Sequence, residues 1–285
     1  MNAMQQQQTI EGINEIAPVV IFLHAPKTGG TTLVRIIKRQ CAPGSVLTLY
    51  DSSYGEELAA YPSAEIDRVR AIAGHFYFGV HRLIARPSIY ITLLRDPVDR
   101  VISHYHFVRR SPEHYLYTAA NELSLSEFVV ACGADEPNND QTRLLAGRHQ
   151  PEGTPPNADD MLAAARKNLR EHVAVVGTTE EFDRALLLMR RTFGWGRPFY
   201  VRENVSKKQS RRDVISPETR RVIENYNALD IDLYEEARML FAERVREQDT
   251  AFQRELFVFR RLNSAYALAG QLQRLTNLNV RIGAQ

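Results

Sequence analysis

The chain has 285 residues, of which 44% are hydrophobic and 25% charged, an ordinary globular usage that excludes a disordered chain and a coiled coil. Lys+Arg of 36 against Asp+Glu of 34 leaves a formal net charge of +2, which argues against a protein that coats nucleic acid. Two cysteines, Cys41 and Cys132, make no disulfide framework, although one optional bridge stays open, and no run of about 18 apolar residues marks a transmembrane helix.

Residues 1–17 are rich in Gln and lack the basic start and apolar run of a signal peptide, so they read as a flexible tail. Val19 to Leu23 is a short β-branched apolar run, followed by Pro26, Gly29 and Gly30 and then by Thr31 to Arg39, the order strand, tight loop, helix. Val46 to Tyr50 reads as a second strand. Ser63 to Arg70 reads as a helix capped by Ser63, with Ile66 and Val69 inward. Ala71 to His75 and Ser88 to Leu94 are further strands. Val98 to Arg110 carries Val101, Ile102, Tyr105 and Val108 at helical spacing.

Ser126 to Ala131 is helical, and residues 133–157, poor in apolar groups and holding four prolines, form a loop-rich insertion. A helix at Asp159 to Glu171, a strand at Val173 to Val176 and a helix at Glu180 to Phe193 follow. Gly194 to Ser216 is a basic loop. Ser216-Pro217-Glu218 opens a helix with cap, proline and acid in the expected places. A last helix runs from about Ala251 to Leu278. Its stripe of Phe252, Leu256, Phe259, Leu262 and Tyr266 packs on the domain or on a second subunit, which would make a homo-oligomer. Strands alternating with helices predict an α/β fold with a P-loop-like central parallel sheet flanked by helices and a helical C-terminal extension. The expected division is a tail at 1–17, an α/β domain at 18–245 and a helical extension at 246–285.

Two elements carry chemistry. The loop Pro26-Lys27-Thr28-Gly29-Gly30-Thr31-Thr32 lies between a buried strand and a helix start, where backbone N–H groups and the helix dipole converge on one point. Lys27 adds a full charge, and Thr31 and Thr32 add hydroxyls. In a nucleotide-triphosphatase P-loop the lysine follows the last glycine, whereas here it precedes both. The competing reading is a Gly-Gly turn with an exposed lysine. In the second element, Arg95-Asp96-Pro97 ends a buried strand, and Ser103 follows nearly two helical turns after Pro97. A guanidinium fork plus a hydroxyl suits a terminal phosphate. The alternative is an Asp96 helix cap with Arg95 paired to a surface carboxylate.

Taken together, the two elements resemble the sulfotransferase family that uses 3′-phosphoadenosine-5′-phosphosulfate, and most closely its heparan sulfate 2-O/6-O-sulfotransferase branch with its bacterial relatives. Pro26 to Leu33 matches the family's 5′-phosphosulfate loop and Arg95 to Tyr105 its 3′-phosphate motif. Asn138 to Gly147, Val176 to Phe182, Asn204 to Lys208 and Asn227 to Tyr234 also fit that branch. The resemblance spans roughly residues 18–242 and implies a sulfuryl transfer that releases adenosine 3′,5′-bisphosphate, with no metal. The acceptor it implies is a hydroxyl, expected on a carbohydrate, with a glycolipid or secondary metabolite as the alternative.

The resemblance also assigns roles. It implies His75, in Gly74-His75-Phe76, as the base that deprotonates the acceptor, a task suited to a neutral imidazole near pH 7. Lys27 would neutralise charge on the bridging oxygen as the 5′-phosphate leaves. Lys27, Thr28, Gly29, Gly30, Thr31, Thr32, Arg95 and Ser103 would hold the donor, and Lys207 or Lys208 would close over it. By their position rather than by the resemblance, His81, Gln141 and Arg143 are candidates to reach the acceptor, although His81 also reads as a surface group and the helix start at Gln141 to Arg143 as part of the core. His24, His104 and His106 read as packing or surface residues.

Residues 24–40 carry four basic and no acidic groups, residues 95–110 four and two, and residues 202–221 seven and three, so a near-neutral sum hides a concentrated anion site. With no leader or anchor in the sequence, the expected setting is cytoplasmic and bacterial. A P-loop kinase and a non-catalytic nucleotide- or glycan-binding module are the competing functions.

Overall fold

The computed structural model describes residues 17–50, 53–132, 137–147, 157–201 and 215–282, with side chains described as far as residue 270. Five strands, β1 (Val19–Leu23), β2 (Val46–Leu49), β3 (Ala71–Gly74), β4 (Ser88–Leu94) and β5 (Val173–Thr178), form one parallel sheet in the order β2-β3-β1-β4-β5. All five residues of β1 are buried, as expected of a central parallel strand with helices on both faces. The helix α1 (Gly30–Gln40) returns from β1 and buries Leu33, Val34, Ile36 and Ile37, the apolar stripe at helical spacing.

The short helices α2 (Tyr54–Ala59) and α3 (Ser63–Ile66) follow β2. The helix expected over 63–70 is thus a single turn. The Arg86 guanidinium takes the carbonyls of Ile66, Asp67 and Val69 at 3.0, 3.1 and 2.8 Å, the groups a longer helix would have used itself. After β4, α4 (Pro97–Val108) starts on Asp96, whose side chain accepts from the Asp99 N–H. The helix α5 (Tyr117–Glu122), which periodicity did not reveal, precedes α6 (Leu125–Ala131), opened by a capping box of Ser124 and Glu127.

The segment 133–157 is not wholly loop: α7 (Asp140–Ala146) lies within it and is largely buried, while 133–136 and 148–156 fall outside the described residues. The helices α8 (Ala158–His172) and α9 (Phe182–Phe193) flank β5. The helix expected to open at Ser216 is α10 (Pro217–Tyr226), and past a break at Asn227 a further helix, α11 (Ala228–Arg246), follows. The last helix, α12 (Thr250–Ile282), buries Phe252, Leu256 and Phe259 in the main core, whereas Leu262 and Tyr266 stay exposed. Among the described residues no helix is long and apolar enough to cross a membrane.

Candidate functional site

The sheet order places neighbours of β1 that lie on opposite sides in sequence: the chain visits β2 and β3 on one flank and then crosses to β4 on the other. The carboxyl ends of β1 and β4 are therefore the switch point, where α/β sheets take their ligands in a crevice. The loop after β1 and the residues after β4 meet there. Arg95 donates from Nη1 to the Lys27 carbonyl at 3.2 Å.

The β1 loop is shaped for an approaching anion. Lys27 has φ 69 and Gly29 φ 84, two left-handed residues that turn the chain sharply into α1. The first turn of α1 carries no acid and no side-chain cap. From behind, Thr179 donates its hydroxyl to the Thr28 carbonyl at 2.8 Å and its N–H to the Leu94 carbonyl at 2.9 Å, tying the loop to the end of β5. Thr28 is fully buried and spends its hydroxyl on the Ala25 carbonyl at 2.8 Å, so only its backbone is available to a ligand. Thr31 is exposed and Thr32 half-buried.

Lys27 is half-buried, with Nζ 4.1 Å from the centroid of the Phe107 ring, a cation–π contact. Loss of water, reinforced by the charges of Arg110 and Arg95, lowers its pKa to about 8. An arriving anion reverses that penalty, so the residues present fit a phosphorylated or sulfated ligand. Ser103 lies one helical turn before Phe107 on α4, half-buried on the same face and therefore on the side that borders Lys27.

His75 follows β3 directly. Its ring is exposed on one side and packed on the other against His24 and Tyr50, at centroid distances of 4.5 and 4.8 Å. Displaced water and, second, the Lys27 charge lower its pKa from 6.5 to about 4, so at neutral pH the imidazole is uncharged and able to accept a proton. Buried His24 is lowered further, to about 3, by the same causes with His75 itself contributing.

Behind Arg95 lies a buried polar layer. Gln141, fully buried, accepts from the Arg95 N–H at 2.9 Å and donates to the Arg95 carbonyl at 3.0 Å. Its side chain is thus spent on the Arg95 backbone, the core role that the sequence left open beside acceptor contact, and it supports Arg95. Asp230 in turn accepts from Gln141 N–H, Thr142 N–H and Thr142 Oγ1 at 3.3, 2.8 and 2.7 Å, capping α7 from α11. Asn139 returns the favour, its Oδ1 accepting from the N–H groups of Leu229 and Asp230 at 3.1 Å each. Glu180 accepts from Asp96 N–H at 3.2 Å and from the Tyr234 hydroxyl at 2.7 Å. The three motifs at 138–147, 176–182 and 227–234 thus form one scaffold under the two anion-facing loops.

Other expected contacts lie elsewhere. His81 Nδ1 is 2.9 Å from the hydroxyl of Tyr90, which lies four residues before Leu94 on β4. Arg143 is half-buried and paired with Asp140 at 3.7 Å. Lys207 and Lys208 lie outside the described residues. Motif reading had left Thr179, Asp230 and Glu180 without roles and assigned Tyr50 none, because each acts through backbone or neighbours brought in by the fold. No group of three or more His, Cys, Asp or Glu residues able to hold a metal occurs among the described residues.

Comparison with known proteins shows what the chain is similar to. The chain is 29% identical over 271 residues to heparan-sulfate 6-O-sulfotransferase 1 of Gallus gallus, covering 77% of this chain and 65% of that protein. It is 30% identical over 295 residues to heparan-sulfate 6-O-sulfotransferase 1 of Mus musculus, covering 83% and 69%. It therefore spans about two thirds of the length of these relatives. A crystal structure of a sulfotransferase from Alicyclobacillus acidocaldarius superposes with TM-score 0.43 at 16% identity, over 84% of this chain and 99% of that one. The family model described as Galactose-3-O-sulfotransferase matches residues 5–267, nearly the whole chain. The chain belongs to that sulfotransferase family.

Proposed function

We propose that the chain transfers a sulfuryl group from 3′-phosphoadenosine-5′-phosphosulfate to a hydroxyl of a carbohydrate. The observation that carries this reading is the meeting of Lys27, Arg95 and His75 at the carboxyl edge of one parallel sheet in a chain of this family. The donor supplies the sulfuryl group and leaves as adenosine 3′,5′-bisphosphate. Lys27 and the backbone N–H groups of residues 28–32 hold its 5′ end, and Arg95 and Ser103 its 3′-phosphate. Lys207 and Lys208 remain proposed to close over it.

His75 takes the proton of the attacking hydroxyl, for which its depressed pKa keeps the lone pair free at neutral pH. Lys27 offsets negative charge as it builds on the leaving oxygen. Positioning and charge stabilisation carry the rest, as in phosphoryl transfer. The galactose-3-O-sulfotransferase family and the heparan-sulfate 6-O-sulfotransferase relatives suggest two acceptors to try, galactose-terminated oligosaccharides and oligosaccharides of the heparan type.

Radiolabelled donor is incubated with both sets, and adenosine 3′,5′-bisphosphate is titrated by calorimetry. Label on the glycan that falls roughly 10²- to 10⁴-fold with His75→Ala supports the reading. No binding of the bisphosphate, with Lys27→Ala and Arg95→Ala indistinguishable from the parent, rejects it. Tight binding of ATP with magnesium instead would favour a kinase.

A further inference from the structure

The strand register assembles a row of three side chains that the motifs do not connect. Leu49 of β2 pairs with Gly74 of β3, and Gly74 pairs with Leu23 of β1. The next residue of each strand is therefore Tyr50, His75 and His24, side by side across the carboxyl edge of the sheet. The main chain locks them there. His75 N–H donates to the Leu49 carbonyl and His24 N–H to the Gly74 carbonyl, each at 3.0 Å. A Cβ on Gly74 would lie 1.7 Å from the Leu49 oxygen, so the close approach of these strand ends needs glycine.

The side chains lock as well. His24 stacks on Phe22 at 5.2 Å and lies so close to α1 that a Cβ on Gly30 would be 2.0 Å from its Cδ2. Its Nδ1 is 3.3 Å from the Tyr50 hydroxyl. Both rings meet His75 edge-on, at interplanar angles of 65° and 90°. His24 is buried and has almost no room to turn, and Tyr50 is 46% exposed at the rim. The His75 ring is thus flanked by groups fixed to both neighbouring strands.

We propose that His24 and Tyr50 are positioning residues: they orient the His75 imidazole towards the acceptor hydroxyl and limit its contact with water, and His24 transmits the position of the donor loop, through Gly30, to the base. The proposal rests on His75 being the base. The charged and titratable groups that face His75 are Lys27 from the donor loop, His24 from the end of β1 and Tyr50 from the end of β2. Sulfuryl transfer demands an aligned near-attack geometry, and a misplacement of about 1 Å costs roughly 10²-fold in rate.

The test uses the full chain and Tyr50→Phe, Tyr50→Leu, His24→Asn and His75→Ala. Readouts are donor-dependent labelling of heparosan and galactose-terminated oligosaccharides, the affinity for adenosine 3′,5′-bisphosphate, and the side-chain ¹⁵N signals of His75 across a pH titration. Tyr50→Phe keeps the edge contact and is expected to lose a few-fold in kcat. Tyr50→Leu removes ring and hydroxyl, and is expected to lose roughly tenfold or more in kcat, to leave bisphosphate affinity unchanged and to move the His75 titration back towards 6.5. His24→Asn is expected to match Tyr50→Leu in kcat and in the His75 titration, and the rim position of Tyr50 keeps the test valid if His24→Asn does not fold. Parental kcat and an unmoved His75 titration in Tyr50→Leu, with His75→Ala inactive, overturn the positioning role and leave the base intact. Parental kcat in His75→Ala overturns both.

Discussion

Gln141 holds Arg95 by the backbone of Arg95 itself: its amide accepts from that residue's N–H at 2.9 Å and donates to its carbonyl at 3.0 Å. The pair acts as one further rung on β4, added by a side chain from α7. It sets where the guanidinium starts, and so where a 3′-phosphate would be gripped.

Gln141→Leu keeps the volume and removes both bonds. With a net hydrogen bond worth about 1 kcal/mol, donor affinity is expected to fall roughly tenfold by calorimetry with adenosine 3′,5′-bisphosphate. Arg95→Ala should lose more, and the double variant should lose no more than Arg95→Ala alone. Losses that simply add would mean the two residues act independently.

The pH profile follows from two depressed groups. Lys27, lowered to about 8, discharges above that pH, so donor affinity is expected to weaken as pH rises through 8. Lys27→Arg should move that limb to higher pH, since guanidinium stays charged. His75, lowered to about 4, protonates only in acid, so the acid limb of kcat/KM is expected well below 6.5. An acid limb at 6.5 or above would show an ordinary, well-hydrated imidazole. The same shift affects folding: a histidine that resists protonation in the folded state loses stability as pH falls below 6.5 towards 4.

Gly30→Ala tests the contact between donor loop and His24. Its Cβ would meet ring atoms at 2.0 and 2.1 Å, and the ring is walled in by Phe22 and His75. Overpacking of this kind costs about 1–3 kcal/mol. A lowered melting temperature is expected, together with a shifted His75 signal. Gly55→Ala, with no heavy atom within 4 Å of the added carbon, serves as the control.

The alternating strands and helices, the loop at Lys27 and the end of β4 at Arg95 were legible in the sequence, because long apolar runs and glycine–proline punctuation report local structure. The proposed donor side of the site rests on those. The acceptor side does not: His81 was close to His75 in sequence, but the turn at Gly79 carries it back to Tyr90 on β4. Gln141 looked like a polar contact because composition cannot tell which way a short helix turns, and Asp230, 89 residues away, decides that. The row of Tyr50, His75 and His24 is a product of strand register, which no single segment encodes. The early end of α3 depended on Arg86, about twenty residues downstream.

Asp230 is where stability and site geometry meet. It is fully buried, caps α7 through Gln141 and Thr142, and lies 3.8 Å from Nη2 of fully buried Arg100, which also donates to the Pro137 carbonyl at 2.9 Å. Asp140, at 3.5 Å, is the second carboxylate beside that guanidinium. Asp230→Asn leaves the shape intact but removes a buried carboxylate beside Arg100. Breaking a buried pair costs about 3–5 kcal/mol, because the remaining charge stays desolvated. The expected result is a drop of the order of 10 °C in melting temperature. Part of that loss should return in Asp230→Asn/Arg100→Met, which removes the stranded cation. Donor affinity should not recover in the double variant, since Gln141 has still lost the carboxylate that orients α7. Full recovery of both would mean that charge balance alone, and not the cap on α7, is what Asp230 provides.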